Sequence, residues 1–419
     1  MSDLLQRVTE IARTAKKASR ALALAPTAVR DAALRAAAQA LRADEATILE
    51  ANAKDLASAK AKGLTEAMTD RLRLDHARLE DIAVACEAVA KLPDPVGEVT
   101  EDWTRPNGLR IIRRRVPIGL VAIIFESRPN VTVDAAALCL KSGNGCVLRG
   151  GSEAIHTNIA LSKSFATGLR AAGLPAEAVT LLPFTDREAV PALGSLRGIV
   201  DIIVPRGGPG LIEAVVNSAK VPVIKHDAGI CHVYVHAQAD LAMAEQIVLN
   251  AKCQRPSACN ALETLLVDAA VAGKFLPKMA AALAAKQTEV RACAQSQSLM
   301  PGAKAATEQD FRTEHLGLIL NVKIVAGLAE AVAHIEDYGS HHSDAIITAD
   351  ESAARSFLAQ IDSACVYWNA STRFTDGGEF GFGAEVGIST DRLHARGPMG
   401  IRELTTWKFE IVGQGQVRG

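Results

Sequence analysis

The chain has 419 residues, of which 49% are hydrophobic and 22% are charged, and its formal net charge is -1. This composition is typical of a globular protein with two or three domains, and it excludes a disordered chain. A pI near 6.8 provides no overall basic field that would attract nucleic acid or anionic lipid, so we expect neither as a partner.

Localisation and redox state are predicted from features that the sequence lacks. No apolar run approaches the roughly eighteen residues that span a bilayer, and Asp3 and Arg7 lie where a secretory signal would be apolar. The eight cysteines include no CxxC pair, which favours reduced thiols over a disulfide framework. We therefore predict a cytoplasmic protein.

In chain order, the first predicted region is helical and runs from Asp3 to about Lys91, because its apolar residues recur at helical spacing. Apolar runs then alternate with helical stretches from Val116 to about Ala237, and again from Asp240 to about Ala384. The predicted strands of the first alternation are Leu120 to Phe125, Cys146 to Arg149, Val179 to Pro183, Ile199 to Val204, Val221 to Ile224 and His232 to Val235. Such a pattern predicts a parallel sheet that binds ligands beyond the carboxyl ends of its strands.

Two segments lie outside these alternations. Asn107-Gly108 separates two stretches of extended character, which is a strong signal for a β-hairpin, and the stretch from Glu403 to Val412 is rich in strand-forming residues. Both leave open edges, which association between subunits commonly covers. The alternative is that both are edge strands of the main sheet, and at this point both interpretations stay open.

Three glycine-rich turns lie beside predicted strands, in SGNGCVLRGGSEA, VPRGGPGLIEAV and KHDAGICHVYV. The middle turn leads from a predicted strand directly into a helix. Glycine lets backbone amides approach a phosphate closely, and a helix N-terminus adds favourable partial charge. None of the three matches GxGxxG, so the spacing leaves both phosphate cradles and plain turns open.

A nucleophile candidate lies in NAKCQRPSACNALETLLV, where Cys253 and Cys259 precede a predicted strand. Beside Arg255, a thiol in this loop can have a lowered pKa and act as a thiolate. The alternative is a small buried hydrophobic residue, which is the more common role of a free cysteine.

A zinc site is the alternative suggested by four neighbouring side chains, His226, Cys231, His232 and His236. Successive side chains of a strand point to opposite faces, so Cys231 and His232 do not face one metal, and we predict no metal. The pair His341-His342 is interpreted as a solvated or loop feature.

Four long strings give the chain a family resemblance. It contains, in order and over most of its length, ESRPNVTVDAAALCLKSGNGCVLRGG, VPRGGPGLI, QRPSACNALETLLV and FGFGAEVGISTDRLHARGPMGIRELTT. They resemble the strings of the gamma-glutamyl phosphate reductases, a family of the aldehyde dehydrogenase superfamily. The resemblance implies an α/β fold with a doubly wound cofactor domain, an α/β catalytic domain and a small β oligomerisation element, and it favours association between subunits over edge strands.

The resemblance also implies domain boundaries. It assigns residues 1–95 and 117–237, with part of 370–390, to the NADP-binding domain. Residues 238–369 form the catalytic domain, and residues 96–116 and 391–419 form the oligomerisation hairpin and C-terminal strand.

Roles for individual residues follow from the same resemblance. Cys259 matches the catalytic cysteine, whereas Cys253 is interpreted as structural. Asn130 matches the asparagine whose amide, with the backbone N–H of that cysteine, forms an oxyanion hole. Arg149 replaces a lysine near the adenosine ribose, and its guanidinium favours NADP over NAD because it can bind a 2′-phosphate with two N–H groups. The other implied cofactor residues are Gly207, Gly208 and Gly210 at the pyrophosphate and Glu314 at the nicotinamide ribose.

One departure from the superfamily pattern concerns hydrolysis. Ordinary aldehyde dehydrogenases carry a glutamate that activates the deacylating water, whereas the comparable stretch here, IKHDAGI, places His226 or Asp227 near that position. This counts against hydrolytic deacylation and leaves a phosphorylating enzyme unaffected.

The binding of the substrate phosphate and α-carboxylate is assigned to cationic residues within or beside the shared strings. The candidates are Lys141, Arg255, His394 and Arg396. Each of them is alternatively a solvated surface charge.

The function implied is the NADPH-dependent reduction of L-glutamyl 5-phosphate to L-glutamate 5-semialdehyde and phosphate through a cysteine thioester, in proline biosynthesis. Rival hypotheses are a hydrolytic or coenzyme-A-acylating aldehyde dehydrogenase and a non-enzymatic protein that has kept the fold. The partners we expect are further copies of the chain in a homo-oligomer and, transiently, glutamate 5-kinase, because an acyl phosphate is labile.

Overall fold

The computed structural model describes residues 3–225 and 228–418. These residues form two compact units, the first from residues 3–225, 381–387 and 399–418 and the second from residues 228–380 and 388–398. The predicted boundary after residue 237 is therefore too late in the chain. Residues 391–398, predicted to belong to the oligomerisation element, lie in the second unit.

The first unit begins with the predicted helical region, which is confirmed. Its helices are α1 (Asp3–Leu24), α2 (Thr27–Ala43), α3 (Glu45–Ala61), α4 (Glu66–Leu72), α5 (His76–Lys91), α6 (Val131–Lys141), α7 (Ile155–Ala171), α8 (Ala189–Gly194) and α9 (Pro209–Ser218). Its strands in the same stretch are β1 (Val99–Thr104), β2 (Arg110–Pro117), β3 (Leu120–Phe125), β4 (Gly145–Arg149), β5 (Val179–Leu181) and β6 (Ile202–Arg206). One stripe of α1, with Val8, Ala12 and Ala15, packs in a core that includes β3 and β6.

The main sheet of the first unit is parallel, with the strand order β5-β4-β3-β6. The chain winds outward from β3 to β5 and then returns to the other side of β3, so the topological switch point lies between β3 and β6. Ligands bind at such a point in doubly wound folds. The predicted strand from Val221 to Ile224 is wrong, because this run forms only an isolated bridge between Ile203 and Val223.

The second unit contains a seven-stranded parallel sheet with the order β10-β9-β11-β8-β7-β12-β13. Its strands are β7 (Cys231–Val235), β8 (Leu262–Asp268), β9 (Glu289–Ala292), β10 (Lys304–Ala305), β11 (Ile319–Val325), β12 (Ser343–Ile347) and β13 (Cys365–Trp368), with a separate pair β14 (Ile388–Ser389) and β15 (Gly397–Pro398). Its helices are α10 (Leu241–Cys253), α11 (Ala269–Ala285), α12 (Ala294–Gln297), α13 (Glu308–Phe311), α14 (Leu328–Tyr338) and α15 (Glu351–Gln360). β7 was predicted in the first domain, but it pairs with β8 and β12 of this sheet.

A small antiparallel sheet contains the hairpin and the last strand. β16 (Thr405–Val412) pairs with β2, and β2 pairs with β1 across the turn at Asn107-Gly108, where Gly108 has φ +85°. The alternative of edge strands in the main sheet is therefore wrong. On β16, Trp407, Phe409 and Ile411 are exposed by 47%, 54% and 63%, so apolar surface is present on this sheet, and its role in subunit association stays a prediction. Among the described helices, none combines the length and apolarity of a membrane span.

Candidate active site

The carboxyl ends of β3 and β6 meet at the switch point of the first unit's sheet. β6 ends at Arg206, and Gly207 and Gly208 lead into α9. The N–H of Gly208 donates to Oε2 of Glu126 at 3.1 Å, whereas a Cβ at Gly208 or Gly210 would meet nothing within 4 Å. The N–H at the start of α9 therefore already binds a carboxylate, and there is free space beside Gly208 and Gly210, whereas a Cβ at Gly207 would lie 2.5 Å from Oε2 of Glu126.

Arg149 lies at the carboxyl end of β4 and is only 7% exposed. Its Nη2 donates to the carbonyl oxygens of Thr185 and Asp186, at 3.0 and 3.4 Å. Burial lowers the pKa of the guanidinium, and the nearby carboxylates of Glu153 and Glu126 oppose that shift. Its Nε is buried without a hydrogen-bond partner among the described residues, so this group retains an unsatisfied N–H.

Asn130 immediately precedes α6. Its Nδ2 donates to Oδ2 of Asp134 at 2.8 Å. Burial raises the pKa of the Asp134 carboxyl to about 6, while the hydrogen bond from Asn130 and the charge of Arg206 oppose the rise. The sequence prediction included Asn130 and missed Asp134, for which the four-residue spacing on one helix face is the available signal.

Cys259 lies in the turn before β8, at the amino-terminal edge of the second unit's sheet. The thiol of Cys231 donates to the carbonyl oxygen of Cys259 at 3.3 Å. A Cβ at Gly229 would lie 1.9 Å from the same oxygen, so only glycine fits there. The backbone of the nucleophile candidate is therefore fixed by contacts from two residues.

Cys253, six residues earlier, is the last residue of α10 and packs against the hydrophobic core of the second unit. Its sulfur lies 3.5 Å from Oγ1 of Thr288. These contacts agree with the interpretation of Cys253 as a structural cysteine.

Glu314 lies in the loop before β11 and accepts a hydrogen bond from the backbone of Gly229. Burial raises the pKa of its carboxyl, and that hydrogen bond and Lys252 oppose the rise. Since Gly229 also packs on Cys259, the structure links these two predicted residues through one glycine.

A fully buried ion pair beneath this edge was not predicted. Nζ of Lys252 lies 2.9 Å from Oε2 of Glu263, and Oε1 of Glu263 accepts the N–H of Leu316 at 3.2 Å. Burial raises the pKa of Glu263 to about 7, although Lys252 opposes the shift. The pair joins α10, β8 and the Glu314 loop, and removing one member of such a pair typically costs about 3–5 kcal/mol.

Two arginines lie near Cys259 in the second unit. Arg255 was predicted and is exposed, whereas Arg373 was missed and is half-buried, with Nε donating to Oε1 of Gln254 at 2.9 Å. Burial lowers the pKa of Arg373, Arg255 lowers it further, and Cys259 raises it. Arg373 is therefore a cation that interacts electrostatically with Cys259.

The structure contradicts the prediction that Lys141 binds substrate. Its side chain is 1% exposed, and its ammonium donates to the carboxylate of Asp31 at 2.6 Å and the carbonyl of Ala90 at 2.9 Å within the first unit. These bonds give it a structural role between α6, α2 and α5.

The two remaining cationic candidates lie between β14 and β15. The guanidinium of Arg396 donates to the carboxylate and the carbonyl oxygen of Asp362, so its charge is already paired. His394 is exposed and has φ +72°.

Cys231 and His232, two of the residues considered as zinc ligands, have different hydrogen-bond partners. The thiol of Cys231 contacts Cys259, whereas Nδ1 of His232 lies 2.9 Å from the carboxylate of Asp344. Within the described ranges, no group of three or more His, Cys, Asp or Glu side chains is arranged to hold a metal, and His226 and Asp227 lie outside those ranges. His342 is fully buried in the loop before β12, so the interpretation as a loop residue is confirmed and the interpretation as a solvated residue is wrong.

The fold agrees with a match to a known family. The sequence model of the aldehyde dehydrogenase family matches residues 5–309, and the chain belongs to this family. Gamma-glutamyl phosphate reductase from Moorella thermoacetica is 54% identical over 404 residues, covering 96% of this chain and 97% of the relative. The gamma-glutamyl phosphate reductase from Paramagnetospirillum magneticum is 52% identical over 417 residues, with 100% and 99% covered.

A solved structure gives the same result. The crystal structure of gamma-glutamyl phosphate reductase from Thermotoga maritima matches with a TM-score of 0.96 and 45% identity, covering 100% of both chains. These matches confirm the family resemblance of the four strings and the α/β aldehyde dehydrogenase fold. They also confirm that the chain belongs to a class of oxidoreductases.

Proposed function

We propose that this protein catalyses the NADPH-dependent reduction of L-glutamyl 5-phosphate to L-glutamate 5-semialdehyde and phosphate, the second step of proline biosynthesis from glutamate. The observation that carries the proposal is identity above 50% to gamma-glutamyl phosphate reductases over nearly the whole chain. The electrostatic interaction between Cys259 and the guanidinium of Arg373 supports it.

The first chemical step is assigned to Cys259. Its thiolate attacks the acyl carbon, a C–S bond forms, the bond to the phosphate oxygen breaks, and phosphate leaves with the electron pair. A thioester remains on Sγ. We assign the amide of Asn130 to the acyl oxygen, because charge develops on that oxygen in the tetrahedral intermediate.

The second step releases the aldehyde. NADPH, when bound, supplies the hydride that reduces the thioester. The hemithioacetal on Cys259 then collapses, the electrons of the C–S bond return to sulfur, and L-glutamate 5-semialdehyde leaves. Asn130 again donates to the oxyanion, and the thiolate is regenerated.

The residues of the first unit fit a dinucleotide phosphate. The N-terminus of α9 carries positive partial charge, and its Gly208 N–H donates to the carboxylate of Glu126. We therefore assign the pyrophosphate to Gly207, Gly208 and Gly210. The unsatisfied N–H of Arg149 supports its assignment to the 2′-phosphate. In the second unit, we assign Glu314 to the nicotinamide ribose.

The proposal extends to partners and location. We propose a homo-oligomer, which the exposed apolar side chains of β16 support, a transient complex with glutamate 5-kinase, which the lability of the acyl phosphate favours, and a cytoplasmic location. We assign Arg255 and His394 as substrate candidates, because both are exposed cations or potential cations in the second unit.

The reaction is tested with freshly prepared L-glutamyl 5-phosphate and NADPH. We expect one phosphate released for each NADPH oxidised. Oxidation of NADPH with the γ-glutamyl thioester of coenzyme A but not with the acyl phosphate would identify a coenzyme-A-dependent enzyme instead. No turnover with either substrate would favour a non-enzymatic protein.

We expect Arg149→Ala to raise KM for NADPH by roughly tenfold to hundredfold, since hydrogen bonds to a charged group contribute about 1.5–3 kcal/mol. KM for the acyl phosphate and KM for NADH should change little. Arg187→Ala is the matched control, because Arg187 is an exposed arginine close to Arg149. Equal effects of the two substitutions on KM for NADPH would remove Arg149 from the cofactor site.

A further inference from the structure

The side chain of Asn130 does not take the role that its position at a helix start favours. Asparagine at such a position commonly accepts a hydrogen bond from the backbone of the first turn. Here Asn130 has φ −55° and ψ −32°, and its side chain does not cap α6. Its amide instead donates to Asp134, one turn further along the helix, with Nδ2 and Oδ2 separated by 2.8 Å.

The chemistry of Asp134 determines which end of the amide faces it. An ionised carboxylate only accepts hydrogen bonds, so the NH₂ end of Asn130 must point towards it. Burial raises the pKa of Asp134 to about 6, whereas the hydrogen bond from Asn130 and the positive charge of Arg206 favour the ionised form. Two groups of the same unit interact with this carboxylate. The guanidinium of Arg206, at the end of β6, lowers the pKa of Asp134. The charge of Asp134 in turn raises the pKa of the Cys86 thiol on α5.

The backbone before Asn130 is also held in place. Ser127 has φ +47°, a left-handed conformation that is unfavourable for a residue with a side chain. Its N–H and hydroxyl both donate to Oε1 of Glu153, at 2.5 and 2.8 Å. These bonds hold the backbone just before Asn130. The direction of the Asn130 side-chain amide then depends on its hydrogen bond to Asp134.

We propose that Asp134 is a positioning residue for acyl transfer, which holds one N–H of the Asn130 amide and so directs the other at the acyl oxygen. The inference rests on the proposed function, in which Asn130 is the oxyanion donor. Without the carboxylate, the side chain has three χ1 wells and two amide orientations. The productive orientation is then populated for a smaller fraction of the time, and acyl transfer slows by about fivefold to tenfold.

The readout is the phosphate burst when enzyme and L-glutamyl 5-phosphate are mixed without NADPH. This burst reports formation of the thioester and does not depend on cofactor binding or product release. We expect Asn130→Ala to slow it roughly a hundredfold to a thousandfold. We expect Asp134→Ala to slow it by about fivefold to tenfold, with KM for NADPH in steady state unchanged.

The double variant separates positioning from a structural role. If Asp134 acts through Asn130, adding Asp134→Ala to Asn130→Ala has no further effect on the burst rate. Thr132→Val is the control, because Thr132 lies in the first turn of α6 and its hydroxyl donates to Oδ1 of Asn158 at 3.1 Å, which is separate from the bond between Asn130 and Asp134. It should lower the melting temperature and leave the burst rate unchanged.

Three outcomes would overturn the proposal. A burst at the wild-type rate in Asp134→Ala would exclude a positioning role. The role would also be excluded if Asp134→Ala slowed the burst by the same factor in the wild type and in Asn130→Ala. A wild-type burst in Asn130→Ala would remove Asn130 from the oxyanion site, and both the assignment under the proposed function and the role of Asp134 would fail. If Asp134→Ala does not fold, Asp134→Asn keeps the shape and one acceptor oxygen, and its burst rate should lie between those of the wild type and Asn130→Ala.

Discussion

Cys259→Ala should abolish acyl-phosphate reduction, with a loss of about ten-thousandfold or more, whereas Cys253→Ala should retain most of the activity. Only one thiol can be directed at the acyl carbon. Cys259 lies in a turn whose carbonyl is fixed by Cys231 and Gly229, while Cys253 packs against the core at the end of α10. The measurement is NADPH oxidation with L-glutamyl 5-phosphate at saturating concentrations.

The comparison needs both variants to be folded. Thermal unfolding and NADPH binding, followed by nucleotide fluorescence, provide that control. Incubating the wild type with acyl phosphate and no NADPH should add one glutamyl group to the intact protein, and this adduct should be absent from Cys259→Ala. Comparable loss of activity in both folded variants would contradict the assignment of Cys259.

The architecture was largely predictable because its signals are local. Six consecutive apolar residues from Leu120 to Phe125 predict a strand buried on both faces, and all six are buried in β3. Asn-Gly predicts a tight turn because glycine adopts a positive φ at little cost, and Gly108 between β1 and β2 has φ +85°. Patterns of this kind depend on neighbouring residues in the chain, so the sequence contains them.

The parts that could not be predicted depend on contacts between distant segments. Lys252 and Glu263 are charged, and charged residues are usually exposed, so nothing local marks them as a buried pair. Lys141 is cationic and lies within a shared string, but Asp31 on α2 and Ala90 on α5 bind its ammonium. Neither partner can be identified without knowing how the three helices pack.

The position of Cys259 illustrates a different limit. Parallel sheets usually bind ligands at the carboxyl ends of their strands, and the turn after β6, to which we assign the pyrophosphate, lies at such an end. Cys259, Gly229 and the Glu314 loop instead lie at the amino-terminal edge of the second unit's sheet. The shared strings, and not the topology rule, identified this edge.

The fate of the thioester is the other large effect that we expect. In a hydrolytic enzyme, a general base must deprotonate water beside the acyl carbon, and such proton transfer contributes roughly a hundredfold to ten-thousandfold. IKHDAGI supplies no glutamate for that task. In the oxidative direction, the acyl group on Cys259 should therefore wait for inorganic phosphate, which attacks the acyl carbon and releases the thiolate.

The most direct test of the account is NADPH formation from L-glutamate 5-semialdehyde and NADP⁺ with and without inorganic phosphate. Without phosphate, we expect at most one equivalent of NADPH per active site, followed by a halt. Adding phosphate should restore steady turnover, and the product should be the acyl phosphate, trapped with hydroxylamine as the hydroxamate. Sustained turnover at a similar rate in phosphate-free buffer, with free glutamate as the product, would contradict the account and identify a hydrolytic aldehyde dehydrogenase.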